Sequence, residues 1–358
     1  MSVEGDCYDR VTRAPRCAIL GTMRLSLTLL LLGLVAAGCR NSADEPAATP
    51  SAGATAATSA SATPSLTSTA APTATMEAAA PVALVPGTHE HTLEAGRRTR
   101  KYLVHVPPSG DDAMAIVMVL HGGGGNAKQV MRSTGFDEVA DENGFIAVFP
   151  HGNGRLSDEF LLTWNAGNCC AYALAQGFDD VSFLRAVVRE VVADYGADPG
   201  RVFVTGMSNG GMMSYRLACE ASDVFLGVAP VAGALNLECT PGHSISLLAI
   251  HGTNDRMVRY EGGEPLEQAD PTTRVDASVA ESVGFFVGHN GCDERPVTTT
   301  EGILRFDEWG SCVGGARVAL YTIEGGVHEW PGDTRASVAR GIDASRLTWE
   351  FFASLEPR

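Results

Sequence analysis

The chain has 358 residues, room for one large domain or two small ones, and 45% of them are hydrophobic, enough for a sizeable core. A formal net charge of −16 and a sequence pI near 4.9 argue against a nucleic-acid binder, which needs a basic face to neutralise phosphates, and against a polyanionic substrate.

Residues 1–22 do not resemble a signal n-region and carry Cys7 and Cys17, which a translation start at Met23 would explain. Residues 25–38 form an apolar run too short for a membrane span and rich in small residues at its end, as in a secretory signal peptide. The run closes on Ala36-Ala37-Gly38-Cys39, which resembles a lipobox, although Leu is usual where Ala36 stands. Cys39 is thus the expected lipid anchor, and any membrane association is expected through it alone. Residues 40–84 are mostly Ala, Thr, Ser and Pro and cannot bury enough apolar surface to offset their ordering entropy, so they read as a disordered linker. The catalytic domain is expected over 85–358, on a protein exported to the cell surface, the periplasm or the medium.

Residues 89–106 alternate polar and apolar positions around Gly96-Arg97, which predicts two antiparallel strands at a sheet edge. Residues 115–120 are continuously apolar, as in a strand buried on both faces, and lead into His121 and four glycines. Such a loop leaves backbone N–H groups open to an anion, and Gly123 is the expected oxyanion donor. A helix over 136–142 stops at Asn143-Gly144, and a buried strand follows at 145–149. The long loop 152–177 contains Trp164, Cys169 and Cys170, which argue for order. Asp179 or Asp180 caps a helix whose apolar residues, from Val181 to Val192, recur at helical spacing. Further strands are expected at 226–231, 246–250 and 318–323, a capped helix from Ser278 to about residue 287, and an amphipathic helix from about Asp343. Alternating strands and helices imply an α/β fold with a doubly wound, mostly parallel sheet, whose sites lie at the carboxyl ends of the strands.

The segment 202–211 reads as strand, sharp turn and helix start, with Gly206-x-Ser208-x-Gly210 at the turn. This is the nucleophile elbow of the α/β-hydrolase fold. Asp255 and His328 each follow a predicted strand, and the order Ser208, Asp255, His328 is that of the fold's triad. His328 is the expected base for Ser208 and Asp255 its orienter, with the N–H of Asn209 joining Gly123 as oxyanion donor. Asp223 and Asp276 are rival acids that do not directly follow a strand, while His121 and His251 read as strand-end histidines with structural hydrogen bonds.

Five ordered motifs, LHGGGGN at 120–126, WNAGNCC at 164–170, GMSNGG at 206–211, HGTND at 251–255 and GGVHEWPG at 325–332, together resemble bacterial secreted polyhydroxybutyrate depolymerase-like esterases, a group similar to the feruloyl esterases of carbohydrate esterase family 1. The resemblance covers about residues 85–356. It implies a serine carboxylesterase with Ser208, Asp255 and His328 on the triad positions. It also implies that Trp330 and Trp164 line the acyl or aromatic pocket. Family members often carry His-Thr-Trp where this chain has His328-Glu329-Trp330, a change at the pocket rim.

Of nine cysteines, six lie in the expected exported domain, an even number that suggests disulfides. Cys292 and Cys312 flank one loop and are expected to pair, whereas Cys169, Cys170, Cys219 and Cys239 allow several pairings. Zinc is not supported, since no CxxC pair occurs and no His stands at finger spacing. The expected protein is a monomeric serine carboxylesterase acting on a small or oligomeric ester, with no metal and no organic cofactor. Feruloyl or other aromatic esters and short hydroxyalkanoate esters are the candidate substrates. Acyl transfer on the same fold and a catalytically silent binding module are the alternatives.

Overall fold

A computed structural model of the protein describes residues 84–96, 98–110, 112–267 and 273–357. The segments expected to be the signal, the anchor Cys39 and the linker through residue 83 lie outside the described residues.

Ten strands form one sheet. They are β1 (Gly87–Ala95), β2 (Arg98–Val106), β3 (Ile116–Leu120), β4 (Ile146–Pro150), β5 (Val202–Met207), β6 (Gly227–Val231), β7 (Ser246–Gly252), β8 (Val297–Glu301), β9 (Leu304–Trp309) and β10 (Val318–Ile323). Their order is β1-β2-β4-β3-β5-β6-β7-β10-β9-β8. The six central strands, β4 to β10, run parallel, with an antiparallel hairpin at each edge. This is the α/β-hydrolase arrangement.

The central strands are apolar throughout because both faces are covered. In β3, Ile116, Met118 and Leu120 face one core, while Val117 and Val119 face the other. The first core lies under α4 (Asp180–Tyr195), α5 (Asn209–Glu220) and α6 (Val279–His289). The second lies under α1 (Ala127–Thr134), α2 (Phe136–Asn143) and α7 (Ala344–Ala353), where Phe352 stacks on Phe203 with ring centres 4.6 Å apart. Each side chain buried in this way contributes about 1.5–3 kcal/mol.

The structure adds elements that local pattern did not predict. The hairpin β8–β9 turns at Gly302-Ile303, and β8 is exposed along its whole length. Helix α1 is short and capped by Asn126, whose side chain accepts from Gln129 N at 2.9 Å. The loop after β4 contains α3 (Ala171–Ala175) and a bridge between Asn153 and Thr163. Helix α6 runs to His289, past the expected end.

Strand direction sets the geometry of everything that follows. The parallel strands end together on one side of the sheet, the carboxyl rim, where the connections after β3, β5, β7 and β10 meet. Gly87 pairs with Val106, and β2 runs against β4 with His105 opposite Ala147, so β1 starts at the opposite rim.

Candidate active site

Ser208 stands between β5 and α5 with φ 58° and ψ −121°, a conformation that residues bearing a Cβ avoid. The turn closes because its neighbours are glycines. A Cβ on Gly206 would lie 2.7 Å from the Gly210 carbonyl carbon, and one on Gly210 would collide with the Leu120 carbonyl. The Ser208 N–H donates to Val231 O at 2.9 Å, which ties the elbow to β6. The side chain is half-buried, and its Oγ has no hydrogen-bond partner among the described residues.

Asp255 follows β7. Its Oδ1 accepts from Met257 N at 2.8 Å and Val258 N at 2.9 Å, and its Oδ2 accepts from His328 Nδ1 at 2.7 Å. Burial pushes the carboxyl up, but His251, 3.4 Å away, and His328 outweigh it and hold Asp255 well below the usual carboxylate range. Asp255 is therefore ionised at neutral pH, and its bond fixes the proton of His328 on Nδ1. That leaves Nε2 as the basic nitrogen. The two segments meet because a side chain on Gly252 would collide with the Gly326 backbone, and Asn254 N donates to Gly326 O at 2.8 Å. Ser208 Oγ has no hydrogen bond to His328 among the described residues; such bonds commonly tighten only with substrate bound.

In the glycine loop, Gly124 N donates to Leu162 O and Gly125 N to Gly122 O, whereas Gly123 N–H has no acceptor among the described residues. A Cβ on Gly123 would lie 3.8 Å from Asn209 Cβ, and one on Gly122 would lie 3.6 Å from Ser208 Cβ. The loop is thus packed directly on the elbow. Asn209 is the first residue of α5, so its N–H has no acceptor within the helix. Two uncommitted N–H groups adjoin the serine, at the helix end that favours developing negative charge.

The tryptophans, expected to line the acyl pocket, are both buried, and the cavity of about 330 Å³ that Trp330 borders has none of Ser208, Asp255 and His328 among its lining residues. Trp164 is 0% and Trp330 3% exposed. Trp330 packs edge-to-face on Phe136 and donates from its indole to Ser345 Oγ at 3.1 Å. Trp164 is a clamp: its N–H donates to Asn209 Oδ1 at 2.8 Å, its carbonyl accepts from Asn209 Nδ2 at 3.0 Å, and its indole donates to His121 O at 2.9 Å. The Asn209 side chain is therefore a positioning group for both the elbow and the glycine loop, a role no local pattern signals. His121 supports the same loop. Its Nδ1 donates to Gly122 O at 2.8 Å and its Nε2 accepts from Gly152 N at 2.9 Å, and burial pushes its pKa down to about 3. His251 lies 2.8 Å from Val258 O, so both histidines have the structural hydrogen bonds expected of them.

The rival acids are engaged elsewhere. Asp223 forms a two-pronged pair with Arg185, and Asp276 accepts from Arg274 at 2.9 Å and from Asn236 at 2.7 Å. Disulfides join Cys292 to Cys312, as expected, and also Cys219 to Cys239 and Cys169 to Cys170.

With this geometry in hand, residues 100–281, just over half of the chain, match the family model described as Esterase PHB depolymerase. The segment includes Ser208 and Asp255 but not His328. NocK of Nocardia uniformis subsp. tsuyamanensis, named as an esterase, is 33% identical over 71% of this chain and 77% of its own length. Feruloyl esterase B of Piromyces equi is 32% identical over 64% of this chain, which spans 42% of that longer protein. Among solved structures, an acetyl xylan esterase from Aspergillus awamori superposes with a TM-score of 0.52 at 16% identity, covering 74% of this chain and 99% of that one. This last likeness is one of fold alone.

Proposed function

From the premise that the chain belongs to the PHB depolymerase esterase family and is a carboxylic ester hydrolase, we propose that Ser208, His328 and Asp255 carry out the hydrolysis through an acyl-enzyme. The observation that carries this reading is the ionised Asp255 bonded to His328 Nδ1 at 2.7 Å, on the same rim as a serine held at φ 58°.

Ser208 Oγ attacks the ester carbonyl carbon while His328 Nε2 takes its proton. The carbonyl oxygen becomes an oxyanion that accepts from the N–H groups of Gly123 and Asn209. As the tetrahedral intermediate collapses, the bond to the leaving oxygen breaks and His328 returns the proton to the departing alcohol. Water then attacks the acyl-enzyme with His328 again as base, and the carboxylic acid leaves as Ser208 regains its proton. Asp255 stays ionised throughout and stabilises the imidazolium.

The substrate class is an aromatic acyl ester, as the feruloyl esterase relatives suggest, or a short hydroxyalkanoate ester, as the family description suggests. Three disulfides in the domain fit folding in an oxidising compartment, in keeping with export and with anchoring through Cys39. The test is hydrolysis of p-nitrophenyl acetate and labelling by a fluorophosphonate probe, with and without Ser208→Ala. Activity or labelling that survives the substitution refutes the mechanism. Rates on methyl ferulate, hydroxybutyrate oligomers and simple acyl esters then assign the substrate class.

A further inference from the structure

One cavity of the domain does not touch Ser208. It has a volume of about 640 Å³ and opens between the β1–β2 turn, α3 and the start of α4, on the carboxyl rim but at the β2 end of the sheet. That size suits a small organic molecule.

Its walls combine guanidinium groups with aromatic faces. Arg98 lies over the ring of Phe178, 4.9 Å from its centre, and 5.6 Å from that of Tyr172. Among the described residues Arg98 donates only to neutral acceptors, Gly154 O at 3.3 Å and Tyr172 Oη at 3.0 Å. Arg100 lies 3.6 Å above the Phe183 ring. It pairs with Asp180 at 2.6 Å, and its Nε is buried with no hydrogen-bond partner among the described residues. Arg189, also on the wall, forms no ion pair among the described residues. Two carboxylates also line the cavity and keep their charge, each held by a neutral donor: Glu94 accepts from Thr99 Oγ1 at 2.5 Å, and Asp179 caps α4 through Ser182 N at 2.9 Å. In a chain of net charge −16, two guanidinium groups without an acid partner converge on one cavity, beside a third with an unused N–H.

We propose that this cavity is a second binding site, for an organic carboxylate whose apolar body packs against the half-buried Tyr172 and Phe178 while its carboxylate meets Arg98 and Arg189. Planar guanidinium groups match a carboxylate in two-pronged geometry and stack on aromatic faces. An inorganic anion would leave the rings and most of the volume unused. The proposal stands apart from the assignment of Ser208, which lies beyond β4 and β3 on the same rim.

The experiment is calorimetric titration of ferulate, 3-hydroxybutyrate and inorganic phosphate into the full chain carrying Ser208→Ala. Substrate turnover plays no part, so the result is read separately from the esterase mechanism. At least one of the two acids is expected to bind more tightly than phosphate, and the stronger tells an aromatic from an aliphatic ligand. Arg98→Gln and Arg189→Gln are each expected to weaken that binding by about tenfold or more, the loss of one charge-assisted hydrogen bond. Arg189 is an exposed helix residue whose replacement leaves the core intact, so its variant decides the matter even where Arg98→Gln unfolds. The proposal is overturned by no binding of either acid, by binding that Arg189→Gln leaves unchanged, or by phosphate binding as tightly as the acids.

Discussion

Replacing Ser208 by Ala and by Gly separates the chemistry of the elbow from its strain. Both variants lose the nucleophile and are expected to lose about a thousandfold or more in kcat/KM. Neither loses a hydrogen bond, since Ser208 Oγ makes none among the described residues. They differ in the Cβ, which Ala keeps at φ 58° and ψ −121° and Gly does not have. Holding a Cβ-bearing residue in such a region costs about 1–3 kcal/mol. Glycine recovers that cost but gives the unfolded chain extra freedom, about 0.4–1 kcal/mol in the opposite direction. The Gly variant should therefore be more stable than the Ala variant by about 1 kcal/mol. Urea unfolding of both proteins without reductant measures the difference. A Gly variant equal to or less stable than the Ala variant refutes the claim that the elbow stores backbone strain.

Other predictions follow from the supports of the site. Asn209→Ala removes two buried hydrogen bonds to Trp164 and leaves the Trp164 N–H unpaired, so it should destabilise the protein by about 2–3 kcal/mol and lower kcat more than it raises KM; unchanged stability in urea would show that the clamp is idle. His121, with its pKa pushed down to about 3 by burial, stays neutral in the folded chain while the unfolded chain takes up a proton below about 6.5. Its contribution is complete above that pH and is lost as pH falls toward the folded value, at about 1.4 kcal/mol per unit. Unfolding free energies at pH 7, 5 and 4 should show that slope, and His121→Gln should flatten it. Breaking the Cys219–Cys239 disulfide by paired serine substitution opens a loop of 20 residues' separation and should cost about 3 kcal/mol, read as a lower urea midpoint.

Much of this architecture was legible in the sequence because the central strands are buried on both faces. Runs such as 116–120 and 202–204 are then continuously apolar, and a parallel sheet must bring their carboxyl ends together. Ser208, Asp255 and His328 each follow such a strand, which is one of the grounds on which they are proposed as the catalytic residues. The hairpin β8–β9 was not, because Val297–Glu301 has no buried face and owes its conformation to pairing with β9. Helix α1, at eight residues, is little more than two turns and too short for a clear apolar period, yet Asn126 three residues before Gln129 was a usable capping signal. Trp164 was misread because an aromatic residue in a long loop carries no mark of which way it faces. Its orientation is decided by acceptors far along the chain, His121 O and the Asn209 side chain. Cysteine pairing was open for the same reason, since spacing alone does not say that Cys219 at the end of α5 meets Cys239.

The direction of β1 has a practical corollary. The described chain enters the sheet at Gly87 on the rim where the parallel strands begin, and Leu355, near its other end, packs against Gly227 at the start of β6 on that same rim. Both ends of the domain thus leave from the pole opposite Ser208. A bead, a surface or a fused protein attached at either end would load that pole and leave the catalytic one unobstructed, even to a substrate too large to diffuse around the molecule.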